Sequence, residues 1–169
     1  PSRGLGDVYK RQLKAWVDGE ELLSNHPGHR VHAYPATETH PTLWVLGSSD
    51  YGAQLAAHLG LNYAFAHFIT DGAGTKEALD LYRNNFKPNG ENQKPFSIVC
   101  VWALAAETEE EAWTQFESRM RWRMDRNMGV LGPLLHPQNA SRILRPDEEL
   151  YMDEFKKIAM VGSVQSVKR

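Results

Sequence analysis

The run from Leu43 to Leu61, LWVLGSSDYGAQLAAHLGL, constrains the fold more tightly than any other part of the sequence. Leu43 to Leu46 is continuously apolar, as expected for a parallel strand covered on both faces. Gly47-Ser48-Ser49 then makes a tight turn of small residues. Ser49 or Asp50 suits the N-cap of the following helix. Leu55, Ala56 and Leu59 form the apolar stripe of that helix, and Gly60 stands where a helix C-terminal glycine belongs. A strand that runs directly into a helix directs backbone N–H groups, two serine hydroxyls and about half a positive charge at one place. Such a place suits a phosphate. A plain strand-to-helix junction with a serine N-cap needs the same residues, so the local pattern leaves both readings open. The turn is neither a Walker loop, because no Gly-Lys-Ser/Thr follows, nor a dinucleotide fingerprint, because the glycine spacing differs.

The remainder alternates in the same way. Leu13 to Leu23 reads as a short amphipathic helix. Residues 25–41 read as a polar loop with one short extended piece at Val31 to Tyr34. Tyr63 to Ala66 is a second strand ending at His67-Phe68. Thr75 caps a helix whose apolar positions are Ala78, Leu79, Tyr82 and Phe86. Phe96 to Ala105 is the most strand-like run in the chain. Thr108-Glu109-Glu110-Glu111 has the form of a capping box and opens a long helix reaching Met124. Gly129 to Ser141 reads as a loop and Asp147 to Ile158 as a further helix. Ala159-Met160-Val161 then runs into a second small-residue turn at Gly162-Ser163. Strand and helix in alternation predict an α/β protein with parallel strands.

Composition excludes several classes. The 169 residues carry a formal net charge of -2 and are 41% hydrophobic, which provides no electrostatic footprint for nucleic acid. No apolar run is long enough for a membrane span, and no secretory pattern opens the chain. The single cysteine, Cys100, cannot form an internal disulfide. Its apolar surroundings predict a buried, unreactive thiol, and a reducing cytoplasm fits these features. His26, His29, His32 and His40 are dense, but they lack helical spacing and cysteine neighbours, so solvated loop histidines are expected rather than a metal site. His58 is expected on the exposed side of its helix. The glutamates at 109–111 suit a helix N-terminus. Arg119, Arg121, Arg123 and Arg126 are expected to form a solvated helix face, with Trp122 covered by its neighbours and contact to a ligand phosphate by one arginine as the weaker alternative. Met120, Met124 and Met128 are expected to pack.

Asp7 to Gln12, DVYKRQ, matches the in-frame translation of a transposase adaptor used in sequencing libraries. On that reading residues 1–12 are foreign, and both ends point to an incomplete reading frame.

The blocks Pro41 to Ala57, Leu59 to His67 and Ala78 to Pro88 carry a family likeness, as do Ala105 to Ala112 and Val161-Gly162-Ser163. Together they resemble the luciferase-like flavin monooxygenases. The resemblance implies a (β/α)8 TIM-type barrel with its active site at the C-terminal ends of the strands. A complete barrel of this type needs about 250 residues, so the resemblance implies a partial barrel, incomplete at both ends, with residues 13–169 as the C-terminal part of a single barrel domain. The resemblance places Gly47, Ser48, Ser49 and Tyr51 around the phosphate of reduced FMN, and Phe65 and His67 near the flavin or substrate cavity. Luciferase itself carries an acidic residue where this sequence has Gly47. The family's activity implies O2 and a small organic substrate, with reduced flavin supplied by a reductase and a homo-oligomeric parent. Some relatives use a deazaflavin and transfer hydride. The family's catalytic histidine belongs to the first half of the barrel, so no catalytic residue is assigned here and the chain by itself is expected to be inactive. Two alternatives stand beside the enzyme: a non-catalytic flavin-binding relative, and an unrelated α/β module for phosphorylated metabolites.

Overall fold

A computed structural model describes residues 2–35, 39–90 and 92–168. The chain divides into two compact units. The first comprises Pro1–Ala66 and Gly74–Val99, and the second His67–Ala73 and Cys100–Arg169.

The first unit is a three-stranded parallel sheet in the order β1 (Trp44–Gly47), β2 (Asn62–Phe65), β3 (Ser97–Val99). Parallel neighbours need a crossover. Helix α2 (Asp50–Leu59) joins β1 to β2, and β3 follows α4 (Thr75–Asn85). The register pairs Gly47 with Phe65 and Phe65 with Val99, so the C-terminal ends of the strands are level. Ala53, Ala56 and Ala57 of α2 are fully buried, and their small side chains bring the helix close to Tyr63, Phe65 and Tyr82 in one core. Ser49 is the N-cap of α2. Gly60 closes the helix in the left-handed region at φ 65, its N–H bonding to Ala57 O. Both assignments match the sequence reading.

Helix α1 spans Ser2–Val17 rather than Leu13 to Leu23. It includes residues 7–12 and stops early because Gly19 turns the chain at φ 70 and Glu20 N–H bonds back to Ala15 O. Val31 to Tyr34 forms no strand. Strand β1 is covered on one face only: Val45 is buried, whereas Leu46 is 61% exposed. By contrast, β2 is buried throughout. Thr75 is the first helical residue of α4, and its N-cap is Gly74 at φ 75.

The second unit holds a parallel pair, β4 (Ala103–Ala106) beside β5 (Met160–Ser163). It also contains the one-turn helix α3 (His67–Thr70), the long α5 (Glu109–Asn127), the short α6 (Pro137–Ala140), α7 (Pro146–Lys156) and α8 (Val164–Val167). Ala112, Phe116, Met120 and Met124 recur every fourth residue along α5 and pack on Val161, as helical spacing requires. Met128 falls past the helix end and is exposed. The run Phe96 to Ala105, read as one strand, is two. It breaks at Cys100 to Trp102, and its halves pair with different neighbours, β2 and β5. Cys100 lies in that break and is half-buried rather than buried. The described strands thus form two parallel sheets and no closed barrel. Among the described residues, no helix is long and apolar enough to cross a membrane.

Candidate functional site

The turn after β1 is built by close approach. A Cβ on Gly47 would stand 3.4 Å from Gly52 Cα, and one on Gly52 the same distance from Gly47 Cα. Two glycines therefore let the strand end and the first turn of α2 touch backbone to backbone. Gly47 O accepts the Ala66 N–H at 2.8 Å, tying the ends of β1 and β2 together. Behind the turn, the Tyr63 hydroxyl lies 3.5 Å from Gly47 O and 3.4 Å from Ser49 O. Burial, reinforced by the charge of Asp50, pushes this phenol up to about 12, so it stays a neutral donor. Ser49 is extended at φ -148 and ψ 166, and its hydroxyl makes no cap hydrogen bond. The first-turn N–H groups of a helix have no partner within the helix, and here the usual side-chain cap does not take one either.

Gly47, Ser48 and Ser49 thus come together with Phe65 at the C-terminal edge of the three-stranded sheet. That edge is where α/β sheets place ligands. Ser48 is half-buried and Ser49 exposed. An oxyanion there would meet first-turn N–H groups and two hydroxyls. Asp50, exposed in the same turn, opposes negative charge but leaves the donor set intact. The residues present fit a phosphate.

Tyr51 is placed differently from the serines. It lines a groove of about 510 Å³ between α2 and α4, with Gln54, His58, Asn85 and Lys87. The Lys10 ammonium stands 5.3 Å from the centre of its ring. Phe65 is fully buried and meets Tyr63 edge-on at 6.4 Å, so it forms a wall of the core. His67 belongs to the second unit, where it opens α3. The histidines of the polar loop make local contacts: His26 Nδ1 accepts the Gly28 N–H at 3.0 Å, and the His29 ring bonds to His26 O. Among the described residues, no group of three or more His, Cys, Asp or Glu is placed to hold a metal.

Of the α5 arginines, Arg126 is exposed as expected, whereas Arg119, Arg121 and Arg123 are half-buried. Arg121 pairs with Asp125 at 2.7 Å and Arg123 with Asp71 at 3.0 Å. The Arg119 guanidinium lies 4.2 Å over the Trp102 ring, where burial and the neighbouring Arg123 charge lower its pKa. Trp122 is covered as expected, by Arg119 and Arg126. Asp125 is an i,i+4 partner that helical spacing reveals, but no spacing rule points to Asp71 or Trp102, which lie on loops outside α5. The capping box is half made: Thr108 Oγ accepts the Glu111 N–H at 3.1 Å, while the Glu111 carboxylate bonds Gln115 instead. The second small-residue turn holds a bound acid of the chain's own. Ser163 N–H donates to Glu109 Oε1 at 2.9 Å, and the Ser166 hydroxyl donates to the same oxygen.

Residues 9–169 match the family model for luciferase-like monooxygenases. The chain is similar to a luciferase-like monooxygenase of Escherichia coli (strain K12), with 35% identity over 159 residues, covering 93% of this chain and 45% of that protein. It is also similar to the uncharacterized protein YceB of Bacillus subtilis (strain 168), with 30% identity over 165 residues, covering 95% of this chain and 49% of the relative. The crystal structure of apo-MsnO8 superposes with a TM-score of 0.76 at 31% sequence identity, over 95% of this chain and 47% of that one. The chain therefore spans about half the length of the curated relatives it matches. The match across nearly the whole chain, together with the shared α/β architecture, places this chain in the luciferase-like monooxygenase family.

Proposed function

We propose that this chain forms the C-terminal part of a flavin-dependent monooxygenase and contributes part of the phosphate site for reduced FMN. The observation that carries this reading is the turn after β1. There an uncapped helix N-terminus, two serines and a glycine-to-glycine approach stand together at the C-terminal edge of a parallel sheet. In this reading, Ser48 and Ser49 and the first-turn N–H groups of α2 hold the phosphate, and Gly47 lets it approach. Tyr63 fixes the turn from behind without touching the ligand. Tyr51 stands in the same first turn beside the phosphate, with its ring in the α2–α4 groove. Phe65 supports the strand end beneath the cofactor, and His67 faces the flavin or substrate cavity.

When bound, reduced FMN supplies the electrons that let O2 oxygenate a small organic substrate; the protein's task is to position the cofactor and exclude water. The two parallel sheets are, in the same reading, segments of a (β/α)8 barrel. The exposed apolar residues Leu46, Ile98 and Val99 would be covered once the barrel is complete, since a parallel sheet is normally covered on both faces. The residues that contact the flavin ring would then lie outside this chain, and the chain alone would not turn over.

Titrating the chain with FMN and with riboflavin tests the phosphate site directly. A preference of about tenfold or more for FMN, about 1.4 kcal/mol, is expected. Equal affinity for the two would remove the phosphate from the turn. Flavin-dependent oxygenation by the isolated chain would refute the division of the active site.

A further inference from the structure

The segment after β2 is a tight turn closed locally between Thr70 and Ala73, the Ala73 N–H donating to Thr70 O at 3.1 Å and the Thr70 hydroxyl to Ala73 O at 2.9 Å. Asp71 sits at φ 49, Gly72 at 91 and Gly74 at 75, and α3 is a single turn. Its longer-range anchors are the loop at Cys100, whose carbonyl accepts the Phe68 N–H at 3.3 Å, and two helices. Arg123, 52 residues further along on α5, donates from Nη2 to Ile69 O and to Asp71 Oδ2, both at 3.0 Å, and from Nη1 to Phe68 O at 3.4 Å. Tyr151 on α7 donates to the same Asp71 oxygen at 3.2 Å. The Arg123 side chain is only 13% exposed, so its contacts to Phe68 O and Asp71 are partly shielded from water, while that to Ile69 O is exposed. His67 is fixed at the other end of the segment. Gly72 N–H donates to His67 O at 3.2 Å, and a Cβ on Gly72 would lie 2.7 Å from His67 Nε2. The imidazole therefore rests against Gly72, and where Gly72 sits follows from how Asp71 is held.

We propose that Arg123 is a positioning residue that sets the orientation of the His67 imidazole by clamping the segment from Phe68 to Asp71, with Tyr151 as its second hand. Arginine suits this role because its planar fork serves two carbonyls and a carboxylate at once, whereas lysine offers a single point of charge. The functional weight of the clamp rests on the reading that His67 faces the flavin or substrate cavity, but the placement of His67 can be measured without flavin.

The test compares the chain with its Arg123→Met, Arg123→Lys and Asp71→Asn variants. The readouts are the His67 ring resonances, and hydrogen exchange at the Phe68, Gly72 and Ala73 amides with the β4 amides as internal reference. In Arg123→Met, exchange at those three amides should rise about tenfold or more, and the His67 resonances should shift, while β4 changes less than about twofold. Arg123→Lys, which keeps the Asp71 pair but not the carbonyl fork, should leave the His67 resonances displaced even where thermal stability recovers. Unchanged His67 resonances and exchange in a folded Arg123→Met would overturn the proposal. Should that variant not fold, Asp71→Asn decides in the same way, because it weakens both hands of the clamp. If the exchange effect appears but wild-type chain binds no FMN, the clamp stands and the flavin reading falls.

Discussion

Glu109 and Ser163, 54 residues apart in sequence, are joined by a 2.9 Å bond from the serine N–H to the glutamate carboxylate. The Ser166 hydroxyl donates to the same oxygen, and Ser163 Oγ in turn accepts the Ser166 N–H at 3.3 Å. The first turn of α5 is thereby fastened to the turn after β5. The two small-residue turns of the chain have thus resolved differently: after β5 the donors are taken by an internal carboxylate, whereas after β1 Ser49 makes no cap bond.

The Ser166 and Ser163 donors hold the Glu109 carboxyl below its ordinary value of 4.5. A depressed folded-state pKa contributes stability that is present above the unfolded value and lost as pH falls through the folded one. Glu109→Gln should therefore lower the urea midpoint at pH 7, and the gap from wild type should close as pH is taken below about 4. A gap that is the same at pH 7 and pH 3 would show that the charge of Glu109 is not what binds these turns.

Glu148 is 4% exposed and takes both Nη groups of Arg142, one of them at 2.6 Å, together with the Arg145 N–H at 2.9 Å. The Arg142 bond leads in lowering its carboxyl to about 2, and the Arg145 N–H assists. Without Arg142 the buried carboxylate would keep only the Arg145 N–H and the Arg145 Nη2, 3.4 Å away, and losing the main partner of a buried charge is costly. Arg142→Met should cost roughly 2–4 kcal/mol at pH 7 by urea unfolding. The wild-type advantage should fade between the ordinary value of 4.5 and about 2. A cost below about 0.5 kcal/mol would reduce the pair to an ordinary surface bridge.

Tyr82 is fully buried, with its hydroxyl 3.0 Å from Leu61 O and 3.1 Å from Phe96 O while accepting the Phe96 N–H at 3.1 Å. It links the start of β2 to the start of β3 through α4. Tyr82→Phe keeps the ring but removes the acceptor of the Phe96 N–H and the donor near Leu61 O, while Phe96 O keeps the Tyr63 N–H at 3.1 Å; it should destabilise the chain by about 1–3 kcal/mol. Gly60→Ala should also destabilise it, by about 2 kcal/mol or more, because φ is 65 and the added Cβ would meet Lys87 O at 2.5 Å. Thermal unfolding of the two variants measures both.

Ser49→Asp separates folding from ligand binding. Aspartate is as good an N-cap as serine, so the melting temperature should hold or rise. A second carboxylate beside Asp50 should weaken FMN binding about tenfold or more, while riboflavin binding changes little. Equal loss for both ligands would point to a damaged turn rather than to phosphate recognition.

The local pattern of the sequence was sufficient wherever the chain decides its own conformation. Ser49 and Gly60 bound α2 because capping and positive φ are properties of one or two residues, and the helical spacing of Met120 and Met124 marks the packing face of α5 without knowledge of its neighbour, although Met128 falls past the helix end. The family likeness was legible too, because its blocks are contiguous. What the sequence could not settle was choice of partner. Phe96 to Ala105 has strand composition throughout, yet only pairing with β2 and with β5 reveals the break at Cys100 to Trp102. Arg119 and Arg123 look like surface charge by spacing, but Trp102 and Asp71, brought in from loops, bury them. Glu111 satisfies the pattern of a capping box, yet its carboxylate goes to Gln115. In each case the deciding energy is a contact between residues far apart in the chain or between competing side-chain partners, and such contacts exist only once the tertiary structure has formed.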